Sequence, residues 1–340
     1  MDYLRYHFDN ELNEEGEVII AGYSFFRDVI LRDLDPTAYD DAFSDWCNQK
    51  AEEKCAKADE ILSCYDNEGR FFRLKELYEK NSVIPFIGAG MSIPSGYPGW
   101  TNFLKKICKE TRIEEKKLQI LIDNGEYEEA AELIYDSLPE GAFLEQIENY
   151  FSREHSINGC IQKIPSIFNN SVITTNFDDV LERIYLSDGP NRFDEILLGG
   201  DSSDLFKILG EGKRALVKLH GKSTKSRSRI LTKSEYDYHY NESGTLESVI
   251  EAISNQTLLF IGCSLSNDRT LACLKKIAQR KGIENIPRHY AFLKLDEPEN
   301  RLDRRDELVE CNIHPIWYTE DHDECLDALL EKLADKRSYD

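Results

Sequence analysis

The chain has 340 residues with a formal net charge of −22, and 41% of its residues are hydrophobic. This length fits one large domain or two smaller ones, and the apolar fraction is sufficient for a packed core. The negative charge argues against a chain-wide electrostatic surface for DNA or RNA. The locally basic segment KSTKSRSR at residues 222–229 is of a kind more often found in solvated loops, so nucleic-acid binding is not expected.

Membrane, secretory and metal-binding patterns are not found in the sequence. No apolar run approaches the length of a membrane span, about 20 residues. The acidic N-terminus has neither the basic start nor the apolar core of a signal peptide. The nine cysteines are scattered without a C-x2-C pair, which favours neither a disulfide framework nor a zinc ribbon. We therefore expect a reduced, cytoplasmic protein that needs no metal.

Residues 1–78 form an acidic N-terminal extension. The segment EVIIAGYSFFRD at residues 17–28 is typical of a strand followed by a turn, and residues 36–80 have a helical pattern. Because this part contains no recognisable catalytic motif, we expect it to make assembly or partner contacts.

The segment VIPFIGAGMSIPSG at residues 83–96 predicts a buried strand, a glycine turn and a helix. Such a turn can present unpaired backbone N–H groups to a phosphate. The dinucleotide fingerprint G-x-G-x-x-G is incomplete, because Ile93 stands at the third glycine position, and no Walker A lysine follows. Taken alone, the segment fits a nucleotide site and an ordinary strand-to-helix turn about equally well.

Beyond the turn, residues 100–153 predict three helices, which would form a helical insertion at about residues 100–160. Short apolar runs separated by helical or loop sequence then follow, which is typical of a doubly wound, Rossmann-like parallel sheet in an α/β fold. These predicted strands cover residues 171–177, 215–221, 257–264 and 289–295, with 313–319 as a fifth candidate.

Polar clusters follow three of these runs, and ligands of open parallel sheets bind outside the carboxyl ends of the strands. We therefore expect the segments TTNFDD, LHGK and GCSLSND to share one edge of the sheet with the glycine turn. Each cluster also has a structural interpretation. Asn176 and Asp178 can cap a helix, His220 can be a buried hydrogen-bonded histidine, and Gly262 and Ser264 can form a turn.

The motifs GAGMS, TTNFDDVLE, KLHG and IGCSLSND, in this order, resemble the NAD-binding motifs of the sirtuin superfamily. The resemblance covers about residues 80–320 and is strongest to the bacterial sirtuin-like branch of anti-phage defence. It implies an NAD-binding catalytic domain at residues 79–340, with NAD hydrolysis as its activity. It also implies a homo-oligomer and a partner protein, commonly a HerA-type ATPase.

The sequence departs from the protein deacylases of the superfamily. It lacks their zinc ribbon of four cysteines, and Gly99 and Thr101 replace the Asp and Arg that follow the deacylase glycine motif. The deacylase Thr-Gln-Asn is Thr174-Thr175-Asn176 here. These departures argue against protein deacylation.

The resemblance also implies roles for individual residues in cleavage of the nicotinamide–ribose bond. Asn176 would hold the ribose hydroxyls or a water, and His220 would accept a proton, since its ordinary pKa of about 6.5 lies near working pH. Asp178 would orient the site or stabilise positive charge, or it would only cap a helix. The remaining expected NAD contacts are Gly88, Ala89, Gly90 and Ser92 at the pyrophosphate, Gly262, Ser264 and Leu265 at the adenosine ribose, and Thr175.

Two other functions stay open at this point. The site can bind NAD or ADP-ribose without turnover and act as a sensing module. Alternatively, it can transfer an ADP-ribosyl or acyl group to or from a protein. The three functions differ in whether NAD is consumed and in which molecule carries the ADP-ribose afterwards.

Overall fold

The structure is a computed structural model that describes residues 2–187, 192–199, 204–225, 228–242, 244–266 and 269–335. Nine strands are found in these ranges: β1 Val18–Ile20, β2 Tyr23–Phe25, β3 Val83–Ile87, β4 Val172–Thr174, β5 Glu195–Leu198, β6 Ala215–Lys218, β7 Thr257–Ile261, β8 His289–Lys294 and β9 Ile313–Tyr318. The helices up to β4 are α1 Asp2–Glu14, α2 Arg27–Leu34, α3 Pro36–Leu62, α4 Asn67–Glu79, α5 Trp100–Cys108, α6 Glu115–Asp123, α7 Tyr127–Ser137, α8 Glu140–Phe151 and α9 Ile164–Ile167. Those after β4 are α10 Val180–Ser187, α11 Leu205–Gly210, α12 Lys233–Asp237, α13 Thr245–Ile253, α14 Arg269–Lys281, α15 Arg301–Val309 and α16 His322–Ala334.

Seven strands form one parallel sheet in the order β5-β6-β4-β3-β7-β8-β9, so the predicted α/β fold with a doubly wound parallel sheet is confirmed. The five apolar runs named from the sequence became β4, β6, β7, β8 and β9. Each observed strand ends one to three residues before its run does. β5 was not predicted.

Alternation along β3 explains how the sheet is covered on both faces. Ile84 and Phe86 belong to one buried cluster, and Val83 and Ile87 belong to the other. Successive side chains of a strand point to opposite faces. The sheet therefore needs helices on both sides, and the five residues of β3 are all buried.

The helical insertion between β3 and β4 contains four helices, α5 to α8, rather than the predicted three. The long second helix of the prediction is divided by Gly125, whose φ of 75° is left-handed, so that α6 ends before it and α7 begins after it. Phe103, Ile134 and Phe143 of this insertion join the buried cluster that contains Val83. The insertion is thus packed onto the sheet.

The N-terminal part differs from its prediction in detail. Residues 17–28 form an antiparallel hairpin, β1 with β2, rather than one strand and a turn, and α1 was not predicted. Phe8, Tyr39 and Phe43 form a small separate cluster. Farther along, α4 packs on the main sheet, where the Asn67 side chain bonds both backbone groups of Trp317. Within the described ranges, no helix combines the length and apolarity that a membrane crossing needs.

Candidate functional site

The ends of four adjacent strands lie in one row. Lys218 of β6 pairs with Thr174 of β4. Thr174 also pairs with Ile87 of β3, and Ile87 pairs with Ile261 of β7. The structure therefore brings together, at one edge of the sheet, the four segments that the sequence placed there, residues 88–92, 175–178, 220–221 and 262–264.

The glycine turn after β3 is tied to the end of β7. The Gly88 N–H donates to the Ile261 carbonyl and the Gly90 N–H to the Gly262 carbonyl, both at 2.9 Å. The expectation that these two N–H groups are unpaired is therefore wrong, because β7 supplies their acceptors. A 3₁₀ turn, Ala89–Met91, follows instead of a long helix. The phosphate-binding role of Gly88, Ala89 and Gly90 stays a prediction. For Gly88 and Gly90 it can no longer be argued from unpaired N–H groups.

Close approach explains why glycine occupies these positions. A Cβ on Gly88 would lie 2.4 Å from the Gly262 oxygen, and one on Gly90 would lie 2.7 Å from Nε2 of His322. Gly262 itself has φ of +70°, and its Cβ would lie 2.7 Å from the Met91 nitrogen. The two turns can interlock only without side chains at these three positions.

Asn176 is buried and leaves one polar atom open. Its Nδ2 donates to the Gly88 carbonyl at 3.1 Å and to Oγ of Ser92 at 3.2 Å, and its N–H donates to Oγ1 of Thr174. Its Oδ1 is buried and has no partner among the described residues. Asn176 caps no helix in these bonds, so the capping alternative does not describe it. The unpaired acceptor suits a donor from a ligand, such as a ribose hydroxyl or a water.

Asp178 has the capping bond that the structural interpretation predicted. Its Oδ1 accepts from the Val180 N–H at 3.1 Å, at the start of α10. It also accepts a hydrogen bond from the Ser92 hydroxyl. Burial raises the pKa of Asp178, and the nearby charge of Lys218 opposes that rise. Through Ser92, Asp178 is connected to Asn176, so it fixes the first two segments of the row relative to each other.

A buried ion pair that the sequence reading missed lies beside Asp178. Lys218 is 1% exposed, and its Nζ donates to the Asp178 carbonyl and to Oε1 of Glu182, the latter at 3.0 Å. Lys222 approaches the same carboxylate at 3.4 Å. Lys218 is a charged residue within an apolar strand, two residues before His220. This position was the sequence signal that could have revealed the ion pair. The pair anchors α10 to β6 beneath the row.

His220 is held by two tyrosines. Its Nδ1 lies 3.1 Å from Oη of Tyr236, and its Nε2 lies 3.1 Å from Oη of Tyr240. The ring is partly exposed, yet its surroundings lower the pKa of His220 to about 3 through desolvation. The imidazole is therefore neutral at pH 7 and keeps a lone pair, but the expectation that its pKa lies near working pH is wrong, because burial disfavours the charged ring. Both tyrosines were missed, although YDYHY places them four residues apart, on one face of a helix.

The residues expected at the adenosine ribose differ in accessibility. Ser264 is exposed and Thr175 is partly exposed. The Leu265 side chain is 2% exposed and belongs to a core cluster, so only its backbone can face a ligand. Leu265 has φ of 51°, and Arg304 donates to its carbonyl. The motif residues Asn267 and Asp268, and two residues of the basic segment at 222–229, lie outside the described residues.

No group of three His, Cys, Asp or Glu side chains in the described part of the chain is arranged to hold a metal ion. The nine cysteines are all free thiols. What the site offers to a ligand is therefore the Asn176 acceptor, the His220 ring with its tyrosines, and backbone at the glycine turns.

Comparison with known proteins supports a sirtuin-like chain. A family described as SIR2-like domain matches residues 170–316, which include Asn176, His220 and Gly262. The resemblance to the sirtuin superfamily that was stated from the motifs is therefore confirmed over this range. The glycine turn after β3 lies outside the matched range.

Three relatives have names that refer to NAD hydrolysis or defence. The NAD(+) hydrolase ThsA of Cytobacillus dafuensis is 27% identical over 223 residues, covering 65% of this chain and 42% of that protein. The NAD(+) hydrolase ThsA of Acinetobacter baumannii is 26% identical over 226 residues, covering 65% and 44%. Defense-associated sirtuin 2 of Bacillus subtilis is 28% identical over 203 residues, covering 57% and 19%. The chain thus aligns with less than half the length of each of these relatives.

Proposed function

We propose that this chain, which matches a SIR2-like domain over residues 170–316, is an NAD⁺ hydrolase that releases nicotinamide and ADP-ribose and acts in bacterial anti-phage defence by depleting NAD. The observation that carries the proposal is the buried Asn176, whose Oδ1 is unpaired at the edge of the sheet where parallel folds bind ligands. The names of the three relatives point to the same substrate and setting.

The protein itself has to make or break few bonds in this reaction. Nicotinamide leaves NAD⁺ from a cationic ring, so the N-glycosidic bond breaks toward an oxocarbenium-like ribose, as in glycoside hydrolysis. Water then adds to the ribose carbon, and its proton passes to a base. The protein has to hold the ribose, position the water and accept that proton, and NAD serves as the substrate rather than as a recycled cofactor.

The described residues divide these tasks. The Asn176 Oδ1 accepts from a ribose hydroxyl or from the water, while its Nδ2 bonds to Gly88 and Ser92 keep the amide from rotating. His220 is kept neutral, so its ring has a lone pair for the proton. Asp178 holds Ser92 and α10 in place and acts as a positioning residue.

An NAD-consumption assay on the full chain tests the proposal. We expect wild type to release nicotinamide and free ADP-ribose, and we expect Asn176→Ala and His220→Ala each to abolish turnover while thermal unfolding stays cooperative. Asn48→Ala and His7→Ala, at exposed positions of α3 and α1, are matched controls that should keep full activity. A wild-type chain that never consumes NAD, alone or with the protein encoded beside it, would contradict the proposal.

The other two functions predict different products. A sensing module binds NAD tightly in calorimetry and returns it unchanged. A transferase consumes NAD but leaves labelled ADP-ribose on protein, which an acid-precipitated radiolabel assay detects. The unpaired Asn176 acceptor is compatible with binding in all three cases, so the product decides.

We also propose that residues 1–78 make assembly contacts, with a second copy of this chain as the first partner. Of sixteen large apolar side chains that are exposed in the described residues, eight lie before residue 35, including Ile19 at 75% and Tyr23 at 71%. A concentration of apolar surface of this kind is typical of an interaction site. A HerA-type ATPase is a further partner under the same proposal. Sedimentation velocity that finds only monomer at every concentration would contradict self-association.

A further inference from the structure

Both ring nitrogens of His220 are already occupied in the structure. Oη of Tyr236 lies 3.1 Å from Nδ1, and Oη of Tyr240 lies 3.1 Å from Nε2. A ribose hydroxyl or a water therefore cannot approach either nitrogen directly while these contacts persist. A base in this position needs a route for the proton that passes one of the hydroxyls.

The two tyrosines come from one short helical segment. Tyr236 lies in α12, and Tyr240 lies in the π-helical turn, Tyr238–Glu242, that follows it. Their rings stack at 5.8 Å with an interplanar angle of 25°. Since π-helical turns are rare and are frequently found at functional sites, the local geometry is consistent with a selected arrangement of the two hydroxyls.

Their burial distinguishes an inner from an outer tyrosine. Tyr240 is 1% exposed and belongs to the core cluster under the sheet. Tyr236 is partly exposed and packs on the margin of the same cluster. Tyr236 is therefore the more accessible of the two tyrosines that contact His220.

The valence of a neutral imidazole limits which of these atoms can donate and which can accept. One ring nitrogen carries a proton and donates, and the other has a lone pair and accepts, whereas a tyrosine hydroxyl does either. If Nε2 donates to the buried Tyr240, the lone pair is on Nδ1 and Tyr236 donates to it. A hydroxyl oxygen has two lone pairs, so Tyr236 can donate to Nδ1 and also accept from a water or a ribose hydroxyl.

We propose that Tyr236 is a catalytic proton relay to His220 and that Tyr240 is the positioning residue that sets the ring tautomer. The proposal rests on the NAD hydrolase function proposed above. In the relay, the attacking water or a ribose hydroxyl gives its proton to Oη of Tyr236 while the Tyr236 proton moves to Nδ1 of His220. The O–H bonds of donor and tyrosine break, one O–H and one N–H bond form, and no electrons are exchanged. The imidazolium then gives the proton back through Tyr236 to a solvent water, which carries away the one proton that hydrolysis of NAD⁺ releases.

Two matched substitutions, Tyr236→Phe and Tyr240→Phe, test the relay. Each removes one hydroxyl from the same ring, but only the first interrupts the path. We expect Tyr236→Phe to lower kcat by about 10²-fold or more with KM nearly unchanged, since general acid–base assistance contributes that much. Tyr240→Phe should cost clearly less. Tyr236→Phe with wild-type or higher turnover would overturn the relay and make Tyr236 a gate instead.

A second measurement needs no substitution and no turnover. ¹⁵N NMR of the ring of His220, in wild-type protein without NAD, reports which nitrogen carries the proton. We expect the proton on Nε2, and a proton on Nδ1 would overturn the relay even if both variants fail to fold. A wild-type protein that consumes no NAD but shows the Nε2–H tautomer would instead reject the hydrolase function and leave the tyrosine arrangement supported.

Discussion

The row of strand ends and the N-terminal segment differ in which side chains they bury. At the row, polar groups such as Asn176, Asp178 and Lys218 are 6% exposed or less. In the N-terminal segment, large apolar side chains such as Ile19 and Tyr23 face outward. Buried polar groups and exposed apolar groups are the informative exceptions to ordinary packing. From this difference we expect ligand chemistry in the first region and macromolecular contact in the second.

The largest effect on stability is expected at the buried ion pair of Lys218 and Glu182, beside the row of strand ends. Lys218→Met removes the buried partner of Glu182, which is itself 7% exposed, and leaves this carboxylate with only the partly exposed Lys222 at 3.4 Å. We expect the free energy of unfolding to fall by about 3–5 kcal/mol. Urea denaturation measures this loss.

Lys222→Met is the matched control, because Lys222 contacts the same carboxylate at 3.4 Å but is 29% exposed. Its loss should be at most about 1 kcal/mol. Equal losses in the two variants would mean that burial does not distinguish the two lysines.

The next effect tests the interlocked glycine turns. Gly262→Ala places a Cβ 2.7 Å from Met91 at a φ of +70°. Gly212 has the same φ of +70° with nothing within 4 Å, so Gly212→Ala measures the backbone strain alone. We expect Gly262→Ala to cost about 1–3 kcal/mol more than Gly212→Ala, as overpacking does. Equal midpoints in thermal unfolding would show that the close approach adds nothing.

A pH-dependent effect comes from a histidine that the fold keeps neutral. Burial lowers the pKa of His289, on β8, to about 3, from an ordinary value of 6.5. Between these values the unfolded chain binds a proton that the folded chain does not. The stabilising effect is therefore complete above pH 6.5 and is lost as the pH falls toward 3, by about 1.4 kcal/mol for each unit.

In wild type, Nδ1 of His289 accepts from the Leu258 N–H at 3.1 Å. His289→Asn removes the titrating group while offering an oxygen near that position. We expect the variant to show a flatter dependence of unfolding free energy on pH between 6.5 and 4.5 than wild type. His7→Asn, at an exposed position, is the matched control. Parallel curves for His289→Asn and wild type would contradict the assignment.

The smallest expected effect on stability belongs to the exposed apolar surface. Ile19→Ser should change the free energy of unfolding by no more than about 0.5 kcal/mol, since the side chain is 75% exposed. It should nevertheless weaken self-association in sedimentation experiments. Ile120→Ser, at 60% exposure on α6, is the control that should leave association intact. Equal weakening by both would remove the distinction between the N-terminal segment and other surfaces.

The sheet was readable from the sequence because its central strands are continuous apolar runs, buried on both faces. β5 was missed because Glu195 and Ile196 are exposed at the edge of the sheet, so its pattern is weak. The division of the long predicted helix at Gly125 depended on a left-handed turn that periodicity alone does not reveal.

The candidate site was partly readable for a topological reason. Parallel strands all end at one edge, so the residues after them could be grouped without knowing the strand order. The partners of those residues were not readable, because they depend on tertiary contacts. Tyr236 and Tyr240 come from a separate helix, and Lys218 looked like part of an apolar strand. The pairing of Gly88 and Gly90 with β7 also required the strand order.

The interlocked glycine turns set a condition on when the site can form during synthesis. Gly88 and Gly262 are more than 170 positions apart in the sequence, yet each turn needs the other's backbone. At about 5–20 residues per second, a ribosome takes roughly 10–30 s to cover that interval. A nascent or truncated chain that ends before β7 therefore lacks half of the turn pair. The NAD hydrolysis proposed above would then begin only after most of the chain has left the ribosome.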